Sequence, residues 1–220
     1  MCTSFDVIFD TEKLIETFNK QGKSCLVVTS KTAEVTPGKS RMRPTHIVPV
    51  IRKIDDEYCL DAMRWGFKLQ NGITMVNSRV EEITSGKASQ YWQSLLDQNP
   101  CLFVMSGYHE WKDVVIDTFT PKTGKPTKKK VKQPYRFTIK EQDTFFCAGY
   151  YRKEGSELAC TLITTKGNAI TNLVHQKDRM PVIVTLEVGI QFLEATLDEK
   201  IAFCQSYPPD KMNSEPTDLT

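Results

Sequence analysis

Cys2 is the residue in this sequence that could supply the most unusual chemistry. Its side chain is small enough for removal of the preceding Met1, which would leave an α-amine and a thiol on one residue. Such a 1,2-aminothiol can add to an aldehyde as an imine and then close to a thiazolidine ring. A cysteine also occurs at position 2 by chance, so this residue alone does not predict a function.

Two further segments place polar side chains on or beside predicted strands. In MVNSRVEE, Asn77 and Arg79 are two residues apart, which puts them on one face of a strand. In SGYHEWK, Glu110 stands next to Trp111 after an apolar run. A carboxylate beside an aromatic ring is partly desolvated, and this raises its pKa toward the range useful for proton transfer. A polar surface face and a turn whose Trp covers the core are the structural alternatives.

The segment VHQKDRMPVIV carries another candidate acid or base. It places His175 and Arg179 just before an apolar strand. Histidine exchanges protons near neutral pH, and arginine suits phosphate contacts. A hydrogen-bonded structural histidine would give the same pattern.

Short strands and a few helices must position these residues. Apolar residues at helical spacing follow Asp10, which could cap the first helix. Alternating or continuous apolar residues indicate the strands. The predicted helices cover 11–20, 88–98 and 186–196, with another after Thr165. The predicted strands cover 24–29, 46–52, 58–65, 73–76, 101–105 (ending in a turn at Gly107), 137–139, 144–151 and 159–165. Residues 180–184 are predicted to be a strand or a turn, and 29–44 a loop. Because helices and strands do not alternate as βαβ units, the predicted class is α+β.

Composition limits the environment in which the chain works. The 220 residues, 40% hydrophobic and 25% charged, are typical of one globular domain. The seven cysteines contain no CxxC pair, which argues against a metal site or a disulfide framework and favours a reducing compartment, nucleus or cytoplasm. No apolar run is long enough to span a bilayer.

Basic residues are concentrated in one part of the chain. Between Thr118 and Lys140 there are eight Lys or Arg and no Asp or Glu. We predict a Lys-rich hairpin excursion over 112–134, inside a single domain at 1–205, and a polar, flexible tail at 206–220. The excursion could bind phosphate, act as a nuclear-localisation-like cluster, or be a solvated loop.

Taken together, these segments resemble the SRAP (SOS response-associated peptidase) family, whose members shield abasic sites in single-stranded DNA by covalent cross-linking. The resemblance spans about residues 1–185. It is carried, in order, by the N-terminal Met-Cys, PTHIVPVI, RWGF followed by VNSRVEE, CLFVMSGYHEW, and ITT followed by HQKDRMPVIV. It implies a compact α+β domain whose curled, mixed or antiparallel sheet and flanking helices surround a DNA-binding groove, with Cys2 at its floor.

The resemblance also implies roles for individual residues. After Met1 removal, Cys2 would bond to C1′ of the ring-opened sugar through its amine and its sulfur. Asn77 would hold the Cys2 end, Glu110 would carry protons to and from the amine, and His175 would protonate the ring oxygen. The remaining positions are expected to contact DNA: Arg79, Arg179, Trp111, Pro44, Thr164, Lys128, Lys129 and Lys130.

The expected activity is therefore lyase-like cross-linking to abasic single-stranded DNA by a monomer, without metal or cofactor and with possible removal of Met1 in cis. Thr3 and Ser4 stand where the family has Gly and Arg, and the Pro-x-Trp that follows the family's WGL is missing. A DNA-binding relative with weakened chemistry is thus one alternative. A self-processing cysteine peptidase that uses Cys2, Glu110 and His175 is a second.

Overall fold

The computed structural model describes residues 2–21, 25–30, 38–85, 88–174 and 177–218. The described residues form six α-helices and sixteen strands, and the predicted α+β class is confirmed. The helices are α1 (Thr11–Gln21), α2 (Val80–Ser85), α3 (Ser89–Gln98), α4 (Ala169–Val174), α5 (Leu186–Glu194) and α6 (Leu197–Ala202). The strands are β1 (Phe5–Val7), β2 (Leu26–Val28), β3 (Lys39–Met42), β4 (Ile47–Ile54), β5 (Glu57–Trp65), β6 (Phe67–Lys68), β7 (Thr74–Met75), β8 (Asn77–Arg79), β9 (Pro100–Met105), β10 (Gly107–Phe119), β11 (Pro126–Ile139), β12 (Phe145–Glu154), β13 (Glu157–Lys166), β14 (Arg179–Pro181), β15 (Ile183–Val184) and β16 (Met212–Pro216).

Most strands belong to two sheets. The larger has the order β14-β13-β12-β9-β4-β5-β2, with β8 beside β13 and β15 beside β12. Its strand β5 also pairs with β13, so that β13, β12, β9, β4 and β5 close on themselves. The smaller sheet has the order β16-β11-β10-β1-β3.

Successive side chains of the central strands point to opposite faces of the sheet, and this produces two apolar layers. In β9, Phe103 and Met105 belong to the core shared with the smaller sheet, whereas Leu102 and Val104 belong to the core shared with the helices. All four side chains are fully buried. Since both faces of β9 are covered, its sequence is a continuous apolar run rather than an alternating one. We refer to the first layer as the inter-sheet core.

Helix α1 begins and packs as its sequence predicts. The Asp10 carboxylate accepts hydrogen bonds from the main-chain N–H groups of Glu12 (2.8 Å) and Lys13 (3.1 Å), which satisfies two of the free donors at the helix start. Leu14 and Phe18, four residues apart on one face, are buried in the core beside the helices. The predicted Asp10 cap is confirmed.

Two local predictions are wrong. Part of the expected loop at 29–44 is strand β3, which pairs with β1 because the apolar Met42 lies opposite Phe5 and is buried; residues 31–37 lie outside the described part. Gly107 does not form a turn but begins β10, and the chain bends at Ser106, whose hydroxyl accepts a hydrogen bond from the Ile8 N–H (3.0 Å).

The Lys-rich excursion forms the end of a long two-stranded ribbon. Strands β10 and β11 pair without interruption from Tyr108–Phe137 to Phe119–Pro126. We call the part from residue 112 to residue 133 the arm. Near its tip, Phe119 is 67% exposed and Val115 57% exposed. The expected hairpin is present, and its strands extend into the smaller sheet.

The end of the chain differs from the expected flexible tail. Strand β16 pairs with β11, from Tyr135–Pro216 to Ile139–Met212, and so forms an edge of the smaller sheet. Met212 is buried in the inter-sheet core, which gives this strand an apolar anchor. The described fold therefore continues past residue 205.

Among the described residues, no helix is both long enough and apolar enough to cross a membrane.

Candidate functional site

Cys2 lies just before β1, at the boundary between the two sheets. In this chain, which carries Met1, the Cys2 side chain has no exposed surface and belongs to the inter-sheet core. Its thiol donates a weak hydrogen bond to the main-chain oxygen of Ser4 (3.6 Å). Burial raises the pKa of the thiol well above its usual range, and the neighbouring Glu110 carboxylate raises it further. The thiol is therefore neutral in this arrangement, and within the described part of the chain Cys2 lies in the core rather than at the floor of an open groove.

Asn77 joins the second residue to the larger sheet. Strand β8 runs parallel to β13, with Asn77 opposite Leu162. From there the Asn77 side-chain N–H donates a hydrogen bond of 2.8 Å to the main-chain oxygen of Cys2. The structure thus brings together Cys2 and Asn77, two residues that the sequence analysis assigned to one site.

Glu110 is the third member of the cluster. It lies on β10 opposite Tyr135, and its side chain is 1% exposed. Burial raises the pKa of its carboxyl to about 7, against opposing contributions from the terminal α-amine and, to a smaller extent, from the positive charge of Lys177. A carboxyl with a pKa near neutrality can take up or release a proton under physiological conditions. Glu110 lies close enough to Cys2 to affect the pKa of its thiol.

A buried polar network holds the segment between Cys2 and β1. His109 donates a main-chain hydrogen bond to the Ser4 carbonyl (2.9 Å), and its ring Nδ1 lies 3.4 Å from the Ser4 hydroxyl. Its Nε2 is 3.5 Å from the Asp6 carboxylate, which also accepts a hydrogen bond from Arg136 Nε (2.9 Å). Burial lowers the pKa of His109, although Asp6 opposes this shift. The ring is therefore neutral near pH 7, with one nitrogen facing the Asp6 carboxylate and the other facing the Ser4 hydroxyl.

Ser4, Asp6 and His109 have no role that was predicted from the sequence, in which Ser4 stands out only as a departure from the family pattern. The available signal was the presence of a hydroxyl, a carboxylate and an imidazole within or beside segments already singled out. Their pairing depends on the alignment of β1 with β10, which short-range sequence patterns do not specify.

Two of the expected DNA-contacting residues lie near Asn77, one on its own strand β8 and one on the neighbouring strand β13. Thr164 on β13 pairs with Arg79 on β8, and Arg79 is exposed. Thr164 is buried and its hydroxyl lies 3.4 Å from the Ser78 carbonyl oxygen. The exposed Arg79 guanidinium is accessible to a ligand, whereas the Thr164 side chain is not.

The Arg179 guanidinium binds other groups of the protein. It pairs with Glu81 (2.7 Å) and donates to the main-chain oxygen of Thr164 (2.7 Å). The pair lowers the pKa of Glu81. The structure therefore places Arg179 beside Arg79 in a position that braces β14 against β13 and α2. His175, which was expected to act as an acid, lies outside the described residues.

The remaining predicted residues lie apart from this cluster. Pro44 is half-buried in the turn between β3 and β4. Trp111 is half-buried on β10 opposite Pro134, on the strand face opposite to Glu110. The lysines of the arm are exposed and pair with positions 115–117 of β10: Lys128, Lys129 and Lys130. At about 3.4 Å per residue, they stand roughly 17–24 Å along the ribbon from Glu110.

Among the described residues, no group of three or more His, Cys, Asp and Glu side chains is arranged to hold an ion. The cysteines that are described are all free thiols.

The sequence and the fold match one protein family. The chain belongs to the SOS response associated peptidase (SRAP) family, whose sequence model matches residues 1–218. It is 30% identical over 228 residues to the abasic site processing protein YoqW of Bacillus subtilis and to the protein of the same name from Bacillus phage SPbeta, covering 97% of this chain and 91% of each relative. An abasic site processing protein of Saccharomyces cerevisiae is 27% identical over 168 residues, which are 70% of this chain and 39% of that protein.

Solved structures show the same fold at low sequence identity. A protein from Bacteroides thetaiotaomicron superimposes with a TM-score of 0.75 at 17% identity, covering 98% of this chain and 91% of the other. A phage-related protein from Bordetella bronchiseptica gives a TM-score of 0.75 at 18% identity, covering 99% of this chain and 95% of the other. The resemblance predicted from the ordered motifs is confirmed.

Proposed function

We propose that this chain processes abasic sites in single-stranded DNA by forming a covalent thiazolidine link through Cys2 after removal of Met1. The observation that carries the proposal is the convergence of Asn77 and Glu110 on Cys2. Asn77 fixes the Cys2 main chain with a hydrogen bond of 2.8 Å, and Glu110 supplies a buried carboxyl with a pKa of about 7. Membership of the SRAP family and similarity to abasic site processing proteins support the same assignment.

The proposed reaction balances without an added reagent. The freed α-amine of Cys2 adds to the C1′ aldehyde of the ring-opened sugar, so that a C–N bond forms and the C=O π electrons move to oxygen. The resulting carbinolamine loses water to give an imine. The thiol sulfur then adds to the imine carbon while the thiol proton passes to nitrogen. The products are a thiazolidine and one water molecule.

Glu110 is the residue proposed to move protons in this sequence. It would take a proton from the attacking amine and return one to the departing hydroxyl. Both tasks need a carboxyl that is partly ionised near neutral pH, and burial gives Glu110 a pKa in that range. Asn77 positions the nucleophile but exchanges no proton. His175, at its place in the HQKDRMP segment, is proposed to protonate the ring oxygen during opening.

Positive side chains outside the cluster are proposed to hold the DNA. Arg79 is exposed next to Asn77 and is the arginine best placed to meet a phosphate. Arg179, which pairs with Glu81, would mainly hold β14 and α2 together. The lysines of the arm would extend the contact along the strand, since phosphate binding depends on the number of cations engaged.

Mass spectrometry tests the proposal directly. The purified chain, with Met1 absent from its measured mass, is incubated with a single-stranded oligonucleotide that contains one abasic site. We expect an adduct with the mass of protein plus oligonucleotide minus one water molecule. The Cys2→Ala variant should form no adduct while it still binds the oligonucleotide. An adduct of normal yield from that variant, or from protein that retains Met1, would disprove the mechanism.

Two alternatives remain as outcomes of the same experiment. Non-covalent binding without any adduct would identify a DNA-binding member of the family that lacks the chemistry. Slow loss of Met1 that depends on Glu110, again without adduct, would identify a self-processing peptidase.

A further inference from the structure

The hydroxyl of Tyr108 is buried in the inter-sheet core, which also contains the proposed nucleophile, and it has no hydrogen-bond partner among the described residues. The Tyr108 side chain has no exposed surface, and its oxygen finds neither donor nor acceptor in the part of the chain that the structure describes. A buried phenol without a partner destabilises the folded protein, so such groups are uncommon. Tyr150 shows the usual arrangement, because its buried hydroxyl lies 2.6 Å from that of Ser78.

The Tyr108 ring is held rigidly. It stacks on Phe137, with ring centroids 4.8 Å apart and an angle of 11° between the planes. Its main chain lies on β10, between β1 and β11, where Tyr108 pairs with Phe5 and Phe137. The hydroxyl therefore cannot reach a new partner by a simple rotation of the side chain.

The position of the ring relates it to the cluster around Cys2. Tyr108 and Glu110 are two residues apart on one strand and so point to the same side of the sheet. Cys2 and Tyr108 both belong to the inter-sheet core. Burial raises the pKa of the Tyr108 hydroxyl far above its usual value, and the neighbouring Glu110 carboxylate raises it further. The hydroxyl therefore keeps its proton and can act as a donor at any ordinary pH.

A second unused polar atom lies in the same cluster. The side-chain oxygen of Asn77 is buried and without a partner among the described residues, although its N–H group binds the Cys2 carbonyl. Tyr108 and Asn77 thus each carry a polar atom without a described partner, and both belong to the surroundings of Cys2, which would bond to the polar substrate. Such atoms are explained when a ligand supplies the missing partners.

We propose that Tyr108 donates a hydrogen bond to the C1′ aldehyde oxygen as the Cys2 amine adds to it. This inference rests on the proposed function and names a further residue for the same reaction. When the C–N bond forms, the π electrons of the carbonyl move to oxygen, and a donor fixed in advance stabilises that developing charge. Tyr108 keeps its own proton, and the proton that completes the carbinolamine comes from the amine through Glu110.

The substitution Tyr108→Phe removes only the hydroxyl. Under single-turnover conditions with saturating abasic oligonucleotide, we expect the rate of adduct formation to fall on the order of 100-fold, as for the loss of one preorganised donor. Affinity, measured with Cys2→Ala as the background, should not change. The midpoint of thermal unfolding should stay constant or rise, because the substitution removes a buried hydroxyl that has no partner among the described residues.

Tyr150→Phe is the matched control. It also removes one buried hydroxyl, but one that bonds to Ser78, so it should lower the unfolding midpoint and leave the rate of adduct formation unchanged.

The outcomes separate this inference from the proposed function. An adduct that the wild-type chain and Tyr108→Phe form at the same rate would refute the inference alone. A fall in the unfolding midpoint equal to that of Tyr150→Phe would show that the hydroxyl serves the fold, and would also refute it. No adduct from the wild-type chain would refute the proposed function and, with it, this inference.

Discussion

The side-chain amide of Asn77 donates a hydrogen bond of 2.8 Å to the main-chain carbonyl of Cys2. This contact joins the first described residue to β8, which lies beside β13 in the larger sheet. The segment from Cys2 to Ser4 has no regular secondary structure of its own. Its position therefore depends on side chains that reach it from other strands, and Asn77 provides the bond closest to the proposed nucleophile.

Replacing Asn77 by Asp should slow adduct formation. The substitution keeps the shape of the side chain but replaces the N–H donor with an oxygen that repels the Cys2 carbonyl. A buried carbonyl left without its donor costs about 1–3 kcal/mol, so we expect a rate at least about 5-fold lower. The rate is measured by gel separation of the adduct over time. Asn213→Asp, the same change at an exposed position of β16, is the control and should behave as wild type. Equal rates for the two variants would contradict a positioning role for Asn77.

The rate of adduct formation should depend on pH through Glu110. Because the pKa of its buried carboxyl is about 7, the ionised form increases as pH rises from 6 to 8. We expect the rate to rise with an inflection near pH 7. In Glu110→Gln the rate should be lower throughout, and its remaining rise should move toward the ordinary range of an α-amine, near pH 8. An inflection that stays near pH 7 in the variant would assign the titration to another group.

Stability should show the opposite dependence on pH. The pKa of Glu110 is raised from 4.5 to about 7 in the folded chain, so folding disfavours the charged form. The wild-type chain thus loses stability as pH rises through this interval, whereas Glu110→Gln does not. Relative to wild type, the variant should gain about 3 kcal/mol between pH 4 and pH 8. Chemical denaturation of both proteins at each pH measures this difference, and His109, common to both, cancels from it. A constant difference would show that Glu110 titrates normally.

Sequence patterns predict the local elements better than the contacts between them. Helix α1 and the β4–β5 hairpin follow from apolar spacing and from the polar residues that flank them. Strand β16 could not be found in this way, because MNSEP has little apolar character and is held by pairing with β11 and by the burial of Met212. Its formation depends on tertiary contact rather than on propensity.

The same distinction applies to the site. Asn77 and Glu110 were predicted from motifs, and the structure places both beside Cys2. The link of Ser4 to His109 depends on strand alignment across more than one hundred residues, and no local pattern encodes it. The missing partner of the Tyr108 hydroxyl is likewise a property of packing, since a sequence shows which polar groups exist but not which of them are satisfied.

Asp6 should contribute strongly to stability. Its carboxylate is 3% exposed, accepts a hydrogen bond from Arg136 Nε (2.9 Å) and another from the main-chain N–H of Arg41 (3.0 Å), and lies near the His109 ring. Since Asp6→Ala would leave these half-buried donors without an acceptor, we expect a loss of about 2 kcal/mol in the free energy of unfolding. Urea denaturation monitored by tryptophan fluorescence gives the value. Asp143→Ala, which breaks only an exposed pair with Lys13, should produce no measurable change. Similar results for both variants would show that the buried network is not a source of stability.

The arm should contribute to DNA binding unequally along its length. Lys129 and Lys130 lie opposite the apolar Ile116 and Val115, whereas Lys132 is 3.7 Å from the Asp113 carboxylate. A lysine with no acidic neighbour across the ribbon has more of its charge available for phosphate. Changing both Lys129 and Lys130 to Gln, with Cys2→Ala as the background, should therefore weaken binding to single-stranded DNA. The slope of log K against log salt concentration should decrease in magnitude by about 1.4, or about 0.7 for each lost phosphate contact.

Lys132→Gln provides the control for the arm. It removes one positive charge from the same strand, but one that already faces Asp113, so its effect on the slope should be clearly below about 0.7. Fluorescence anisotropy over a series of salt concentrations measures the slopes. If the double variant keeps the wild-type slope, the arm does not contact phosphate, and its exposed Val115 and Phe119 would have to be explained by another role. If Lys132→Gln has the larger effect per charge, local ion pairing does not determine which lysines bind.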